Sequence, residues 1–316
     1  MNSLLEHRLE NMLLKSFIGL GLLAGASAIF CPGLGDFPNN GAFEGWRDST
    51  CPGNPGLELS YMLHDSTHRG GEEITWDGGI GLPSWFDPSN EVWFIAHGWN
   101  NHAGTPWLTD MMNNFIDADS SLSVVIVGWG GPLGSQDLNY GISAATTRTV
   151  GAQTGEVLIA MQAAGLSPNN AHLTGHSLGS HVVGHAGRWA AAQGFLPNRV
   201  VGMDPAGPSF SENDNRSVGI YVDCGQHVEI IHTDEVYGST PTPEQPNRFL
   251  GDQDFFPNGG AEQPGCGIGE NICSHGKAVD YMSDSIINSD ANAYQAESEC
   301  DFSNDIPGFV QHLLRL

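Results

Sequence analysis

The chain has 316 residues, 40% of them hydrophobic, which suits one large α/β domain or two small ones. Eleven basic residues stand against 36 acidic ones, a formal net charge of -25, so the surface repels a phosphate backbone and offers anionic membranes no basic patch. Nucleic acid is thereby set aside as a partner, and the 42 glycines and 18 prolines speak for turns and close backbone approaches rather than a helical bundle.

At the N-terminus, Lys15 precedes an apolar run from Phe17 to Leu23 that continues in small residues to Ala28. Ala26-Ser27-Ala28 is an A-x-A cleavage pattern, so residues 1–28 are expected to be a signal peptide and Ile29 the start of a secreted chain. The run is too short for a membrane span, and no later segment reaches that length, so no integral membrane segment is expected in the mature chain. Glu6 and Glu10 are unusual upstream of such a run, and Met12 offers an alternative start. Cys31, Cys51, Cys224, Cys266, Cys273 and Cys300 all lie beyond the cleavage site. An even number of cysteines in a secreted chain reads as disulfides, and neither a C-x-x-C nor a zinc spacing occurs. Asn215-Arg216-Ser217 is a glycosylation sequon.

Residues 29–90, rich in Gly, Pro and Asp, are expected to wrap a sheet edge. Val92-Trp93-Phe94-Ile95-Ala96 and Val124-Val125-Ile126-Val127 then read as buried strands. Helical spacing follows from about Ile142 to Ala164, closed by Gly165. His172-Leu173-Thr174 is a short strand, Leu178 to Gln193 a helix stopped by Gly194, and 199–203 and 228–231 are further strands. Continuous apolar strands separated by helices predict a single α/β domain over 29–316, with a mostly parallel central sheet and helices on both faces. The loops at the strand C-termini are the expected site.

Gly175-His176-Ser177-Leu178-Gly179 matches G-x-S-x-G with a strand running in and a helix running out, the context in which that motif presents a nucleophilic serine. Ser177 needs a base, and the base a carboxylate to orient it. Asp204 ends the next strand and is halted there by Pro205, on the same edge as Ser177; Asp223 and Asp234 compete for the role. His232, at a strand end where a structural role bonding its own turn is credible, and His275, in an expected loop beside Cys273, are even candidates for the base. Developing negative charge calls for two aimed backbone N–H groups, expected from Leu178 and from Trp99 in the turn His97-Gly98-Trp99.

With these residues in place, the chain resembles the pancreatic-lipase family, which includes the secreted phospholipases A1. The resemblance rests on Phe94-Ile95-Ala96-His97-Gly98-Trp99, the Ser177 motif, Met203-Asp204-Pro205-Ala206-Gly207-Pro208, Ile231-His232-Thr233-Asp234, the run Asp254 to Gly260, Pro264-Gly265-Cys266, and Cys273-Ser274-His275 with Tyr281 and Ser285-Ile286. These occur in family order from about residue 58 to 290. The resemblance implies the α/β-hydrolase fold, His275 as base, Asp204 as acid, a structural His232 and a Cys266–Cys273 disulfide before the catalytic histidine. Proximity then suggests Cys31–Cys51, leaving Cys224 for Cys300.

The sequence also departs from the family. It ends too early for the C-terminal β-sandwich of the family's lipases, and Phe309 to Leu316 resembles nothing there. Cys224 aligns where the calcium loop carries an acid, leaving only Asp223 beside it, so no cofactor or metal is expected. Gly128 stands where the family usually has Asp. Six residues, Gly267 to Ile272, separate the lid cysteines, as in the phospholipases A1, whereas the loop from Glu235 to Gln253 is of triglyceride-lipase length. The resemblance therefore implies a secreted serine carboxylic-ester hydrolase of lipids, acting as a phospholipase A1 at the sn-1 ester, with a triacylglycerol lipase and a catalytically silent lipid-binding homologue as rivals. A peptidase or small-ester esterase is the remaining class. Its partner is a lipid substrate or lipid–water interface.

Overall fold

A computed structural model describes residues 28–210, 218–239 and 249–288. The expected signal peptide up to residue 27, the Asn215 sequon, Cys300 and the C-terminal stretch lie outside the described residues. β1 (Ala28–Cys31) and β2 (Gly35–Pro38) form a separate antiparallel hairpin. The main sheet is built from β3 (Glu58–His64), β4 (Glu72–Glu73), β5 (Val92–Ala96), β6 (Ser123–Gly130), β7 (Ala171–His176), β8 (Arg199–Met203), β9 (His227–Ile231) and β10 (Gln253–Phe255). Its order is β10-β9-β8-β7-β5-β6-β3-β4. Every neighbouring pair from β10 to β6 is parallel, and β3 and β4 complete the edge in antiparallel fashion. The segment expected to wrap the sheet edge thus contributes two strands to it. In β3 the buried Leu59, Tyr61 and Leu63 alternate with Ser60 and Met62. That is the pattern of a strand with one covered face rather than of a buried central strand.

Among the described residues four α-helices cover the sheet: α1 (Pro106–Ala118), α2 (Tyr140–Ala163), α3 (Leu178–Ala192) and α4 (Asn271–Ile287). The central strands are apolar throughout because both faces are covered. Val92, Phe94 and Ala96 of β5 join the core shared with α2 and α3, while Trp93 and Ile95 join the one shared with α1 and α4. Each large aliphatic side chain fully buried in this way contributes about 1.5–3 kcal/mol. This is the α/β-hydrolase fold. Among the described residues no helix is long and apolar enough to cross a membrane.

The N-terminal hairpin is fastened to this body by a disulfide, by a buried arginine and by Phe37 stacked on Trp189. Cys31 and Cys51 form a disulfide. Arg148, nearly buried on α2, donates to the carbonyl of Pro38 at 2.9 Å, to Asn39 Oδ1 at 2.7 Å and to Ser49 Oγ at 2.9 Å. Its guanidinium also lies 4.3 Å from the Phe43 ring centroid. The chain moves outward from β5 to β6 by α1, returns over β5 by α2 to β7, and then proceeds the other way through α3. The direction therefore reverses between β5 and β7, and the crevice beyond their carboxyl ends is where such sheets hold ligands.

Several histidines in this body are held neutral by burial. It pushes His97 and His172 down to about 4 and His176 and His181 down to about 3, from an ordinary 6.5, and His185 moves in the same direction. As pH falls below 6.5 the unfolded chain protonates these imidazoles while the folded chain does not. The unfolded state then binds more protons, and each such histidine removes stability at about 1.4 kcal/mol per pH unit until its folded pKa is reached. The expected result is a melting temperature that is level above pH 7 and falls steeply between pH 6.5 and 4. A scan of melting temperature against pH that stayed flat across that window would contradict it.

Candidate active site

Ser177 sits at the turn between β7 and α3 with φ 58° and ψ -123°, a left-handed backbone that non-glycine residues adopt at a cost of about 1–3 kcal/mol. The turn is held because the Ser177 N–H donates to the carbonyl of Met203 at 3.0 Å, extending the β7–β8 ladder into the turn. Gly179 lets the helix start against the end of β5: a Cβ there would run into the main-chain oxygens of Ala96 and His97. At Gly98 a Cβ would lie 2.6 Å from the Ser177 Cβ. The turn after β5 is therefore pressed directly onto the serine.

Asp204 ends β8 on the same edge, with a positive φ of 43° and its N–H donated to Ile231 at 2.8 Å. Its carboxylate is fully buried. One oxygen accepts the Thr233 N–H at 3.0 Å and the other the His275 Nδ1–H at 2.6 Å. Burial raises its pKa, against the opposing bonds from His275 and Thr233. Because the carboxylate accepts at Nδ1, His275 is left with its Nε2 lone pair, the form a general base requires.

The two competing acids are otherwise engaged. Asp234 Oδ1 accepts the N–H groups of Val236 at 3.0 Å and Tyr237 at 2.5 Å, and its Oδ2 accepts from Asn271 Nδ2 at 3.0 Å. Asp223 pairs with Arg188 at 2.8 Å. The histidines separate just as clearly. His232 is buried and bonds Asp254 on the neighbouring strand at 2.6 Å, its ring stacked on Phe256 at 4.5 Å, so it braces β9 to β10 rather than its own turn. His275, expected in a loop, lies instead in the first turns of α4. The Cys266–Cys273 disulfide is formed, but the chain between its cysteines only turns once at Gly267–Glu270 before the helix begins at Asn271. The buried Ala278, Val279, Met282 and Ile286 give that helix its core-facing side, which is why it forms so early.

Leu178 is the first residue of α3, so its N–H is one of the four at a helix start without an internal acceptor. Trp99 follows Gly98 and is held by its own indole, whose Nε1–H donates to the carbonyl of Asp137 at 2.9 Å. His97 fixes this turn from beneath. Its Nε2 accepts the Trp129 N–H at 3.1 Å, so Nδ1 carries the proton and donates to the carbonyl of Gly98 at 3.1 Å. In the sequence His97 is visible only as part of the turn, and nothing there marks a role for His176 or Asn271. The signal for such residues is a bond made across the fold, which neither spacing nor composition carries.

The family model described as Lipase matches residues 61–307. Among known proteins the chain is 32% identical over 304 residues to the pancreatic triacylglycerol lipase of Myocastor coypus, covering 85% of this chain and 62% of that one. Against the pancreatic triacylglycerol lipase of Homo sapiens it is 30% identical over 303 residues, covering 87% of this chain and 62% of the other. Against pancreatic lipase-related protein 2 of Cavia porcellus it is 31% identical over 204 residues, covering 64% and 45%. The chain thus spans about three fifths or less of the length of these curated relatives.

Proposed function

This chain belongs to the pancreatic-lipase family, and on that premise we propose that it is a secreted serine carboxylic-ester hydrolase of lipids. In this reading Ser177 is the nucleophile, His275 the general base, Asp204 the acid that orients it, and the N–H groups of Trp99 and Leu178 the oxyanion donors. The observation that carries it is the 2.6 Å bond between His275 Nδ1 and the buried Asp204, on the sheet edge where Ser177 is held in a strained turn. Attack by Ser177 Oγ on the ester carbonyl would pass its proton to His275 Nε2, and the developing oxyanion would fall to the two N–H groups.

The substrate side of the reading rests on what surrounds the serine. Tyr237, its ring 6.2 Å from that of His275, leaves apolar surface open beside the site, as does its chain neighbour Val236; Trp99, Leu138, Ile268 and Ile272 are exposed apolar residues as well. An apolar rim of this kind suits acyl chains. The disulfide-closed turn at 267–270 is too short for the helical flap that would cover the serine in water, since a stable helix needs several turns or tertiary support. A site without such a flap would leave room for a polar headgroup, which favours phospholipase A1 action at the sn-1 ester. The triacylglycerol reading draws on what two of the relatives above are named for, and some glyceride activity is expected beside it. Calcium has no part in the reading. Asp223 is taken up by Arg188, and Cys224, expected to pair with Cys300, is instead a free buried thiol whose pKa burial pushes up to about 12, leaving a neutral sulfur where a hard cation needs oxygen.

The expected result is release of the sn-1 fatty acid from dispersed phosphatidylcholine, with no jump in rate as an ester substrate passes its solubility limit. Negligible phospholipid turnover together with a strong interfacial jump on a triglyceride emulsion would overturn the phospholipase A1 reading in favour of a lidded lipase.

A further inference from the structure

We propose that His176, the residue immediately before the nucleophile, is a positioning residue that locks the base onto the serine turn through the main chain of His275. The inference rests on the reading of Ser177 and His275 as nucleophile and base.

His176 Nε2 lies 3.0 Å from the carbonyl oxygen of His275. A main-chain carbonyl only accepts, so His176 carries its proton on Nε2 and donates it. The two imidazoles also touch, with ring centroids 4.6 Å apart, and Trp107 of α1 meets the far side of His176 edge-on at 6.1 Å. Among the described residues this contact joins the base to the serine turn itself. The Asp204 bond fixes which way the His275 ring faces, while the Cys273 disulfide and the Gln263 N–H bond to Ser274 Oγ at 3.1 Å tie α4 to the loop before it rather than to the serine turn. Asn271, bonded to Asp234, holds only the first residue of that helix. The His176 bond joins the end of β7, and hence Ser177 itself, to α4 at the residue that bears the base. Nucleophile and base are therefore registered to each other by one donor between their own backbone neighbours. For this the donor must keep one tautomer and stay uncharged at working pH. Burial beside His275 pushes its pKa down to about 3, which keeps it neutral.

The motif tolerates many residues at this position in principle, since neither the turn nor the helix start uses its side chain. The choice of histidine is explained by the length of its ring, which places Nε2 at the His275 carbonyl. Gln can bring an amide N–H to nearly the same point, whereas Leu fills the space without a donor.

The test compares His176→Leu and His176→Gln with the wild type, using p-nitrophenyl butyrate as a soluble ester and an organophosphonate as a titrant of Ser177. A displacement of about 1 Å between reacting groups costs on the order of 100-fold, so His176→Leu is expected to lose about 10- to 100-fold in kcat with KM unchanged, and to slow phosphonate labelling by the same factor. His176→Gln should recover most of both rates. A kcat for His176→Leu equal to wild type would overturn the proposal, as would a His176→Gln no better than Leu, or a loss expressed in KM alone. Should His176→Leu fail to fold, His176→Asn replaces it with the same expectation, because its amide stops short of the carbonyl. Ser177→Ala run alongside separates the two levels. If it is inactive, failure of the His176 variants counts against the positioning role only; if it retains activity, the underlying reading falls as well.

Discussion

Ser177→Ala is expected to abolish ester hydrolysis while the protein still melts cooperatively near the wild-type temperature. Triad members act as a unit, and losing the nucleophile alone costs roughly six orders of magnitude in kcat. The fold has little reason to suffer, because the turn is made by the backbone: the Ser177 N–H bonds Met203, and Gly98 and Gly179 permit the close approaches on either side. Alanine keeps the Cβ and accepts the same strained φ no worse than serine does. The checks are fatty-acid release and labelling by an organophosphonate, which should modify the wild-type chain at Ser177 and leave the variant untouched. Modification at another serine, or residual turnover within about a hundredfold of wild type, would remove Ser177 from the mechanism.

The second large effect separates two histidines that the sequence left even. His275→Ala should be as inactive as Ser177→Ala, again by about six orders of magnitude, and should fold. It deletes a side chain whose ring is partly exposed, although it strands the buried Asp204 without its partner, so some loss of melting temperature is expected. His232→Ala should show the opposite balance. It removes a fully buried ring stacked on Phe256 and leaves Asp254 without its 2.6 Å partner, a loss of about 3–5 kcal/mol by the usual cost of breaking a buried pair. Its remaining folded fraction should keep a near-normal kcat. Parallel measurement of kcat and urea unfolding on both variants decides the matter, and a well-folded, inactive His232→Ala would reverse the assignment.

How far the sequence could carry this description depended on whether the signal was local. The central strands were legible because burial on both faces demands uninterrupted apolar runs, and 199–203 was read to its observed limits. The serine turn was legible because its glycines stand at fixed offsets from it. β3 was harder, since a strand with one covered face alternates with polar residues and sits in a Gly- and Pro-rich stretch. The α1 helix carried its spacing openly in Leu108, Met111, Met112, Phe115 and Ile116 and went unread beside the stronger runs on either side. The acid and the base were a different kind of problem. Asp204 was favoured by its place at a strand end, but Asp234 and Asp223 were set aside only by their bonds to Asn271 and Arg188. For His275 the residues themselves gave no preference, and the family resemblance supplied one. The chain also concealed that this histidine rides on a helix, because the disulfide suggested a loop.

The outer end of the sheet has a consequence for the protein in a crowded setting. A strand at a sheet edge offers unpaired N–H and C=O groups to any neighbour able to add a strand of its own. Here that edge is β4, only two residues long, and both are exposed glutamates. A second molecule approaching edge-on would find almost no ladder to extend, and would bring its own pair of carboxylates against the first. The overall charge of -25 acts in the same direction at longer range. An enzyme that gathers at an oil or bilayer surface is concentrated there far above its bulk level, the condition under which open sheet edges seed aggregates. On the proposed reading, in which copies gather at a lipid surface, the acidic, abbreviated edge disfavours their joining strand to strand there.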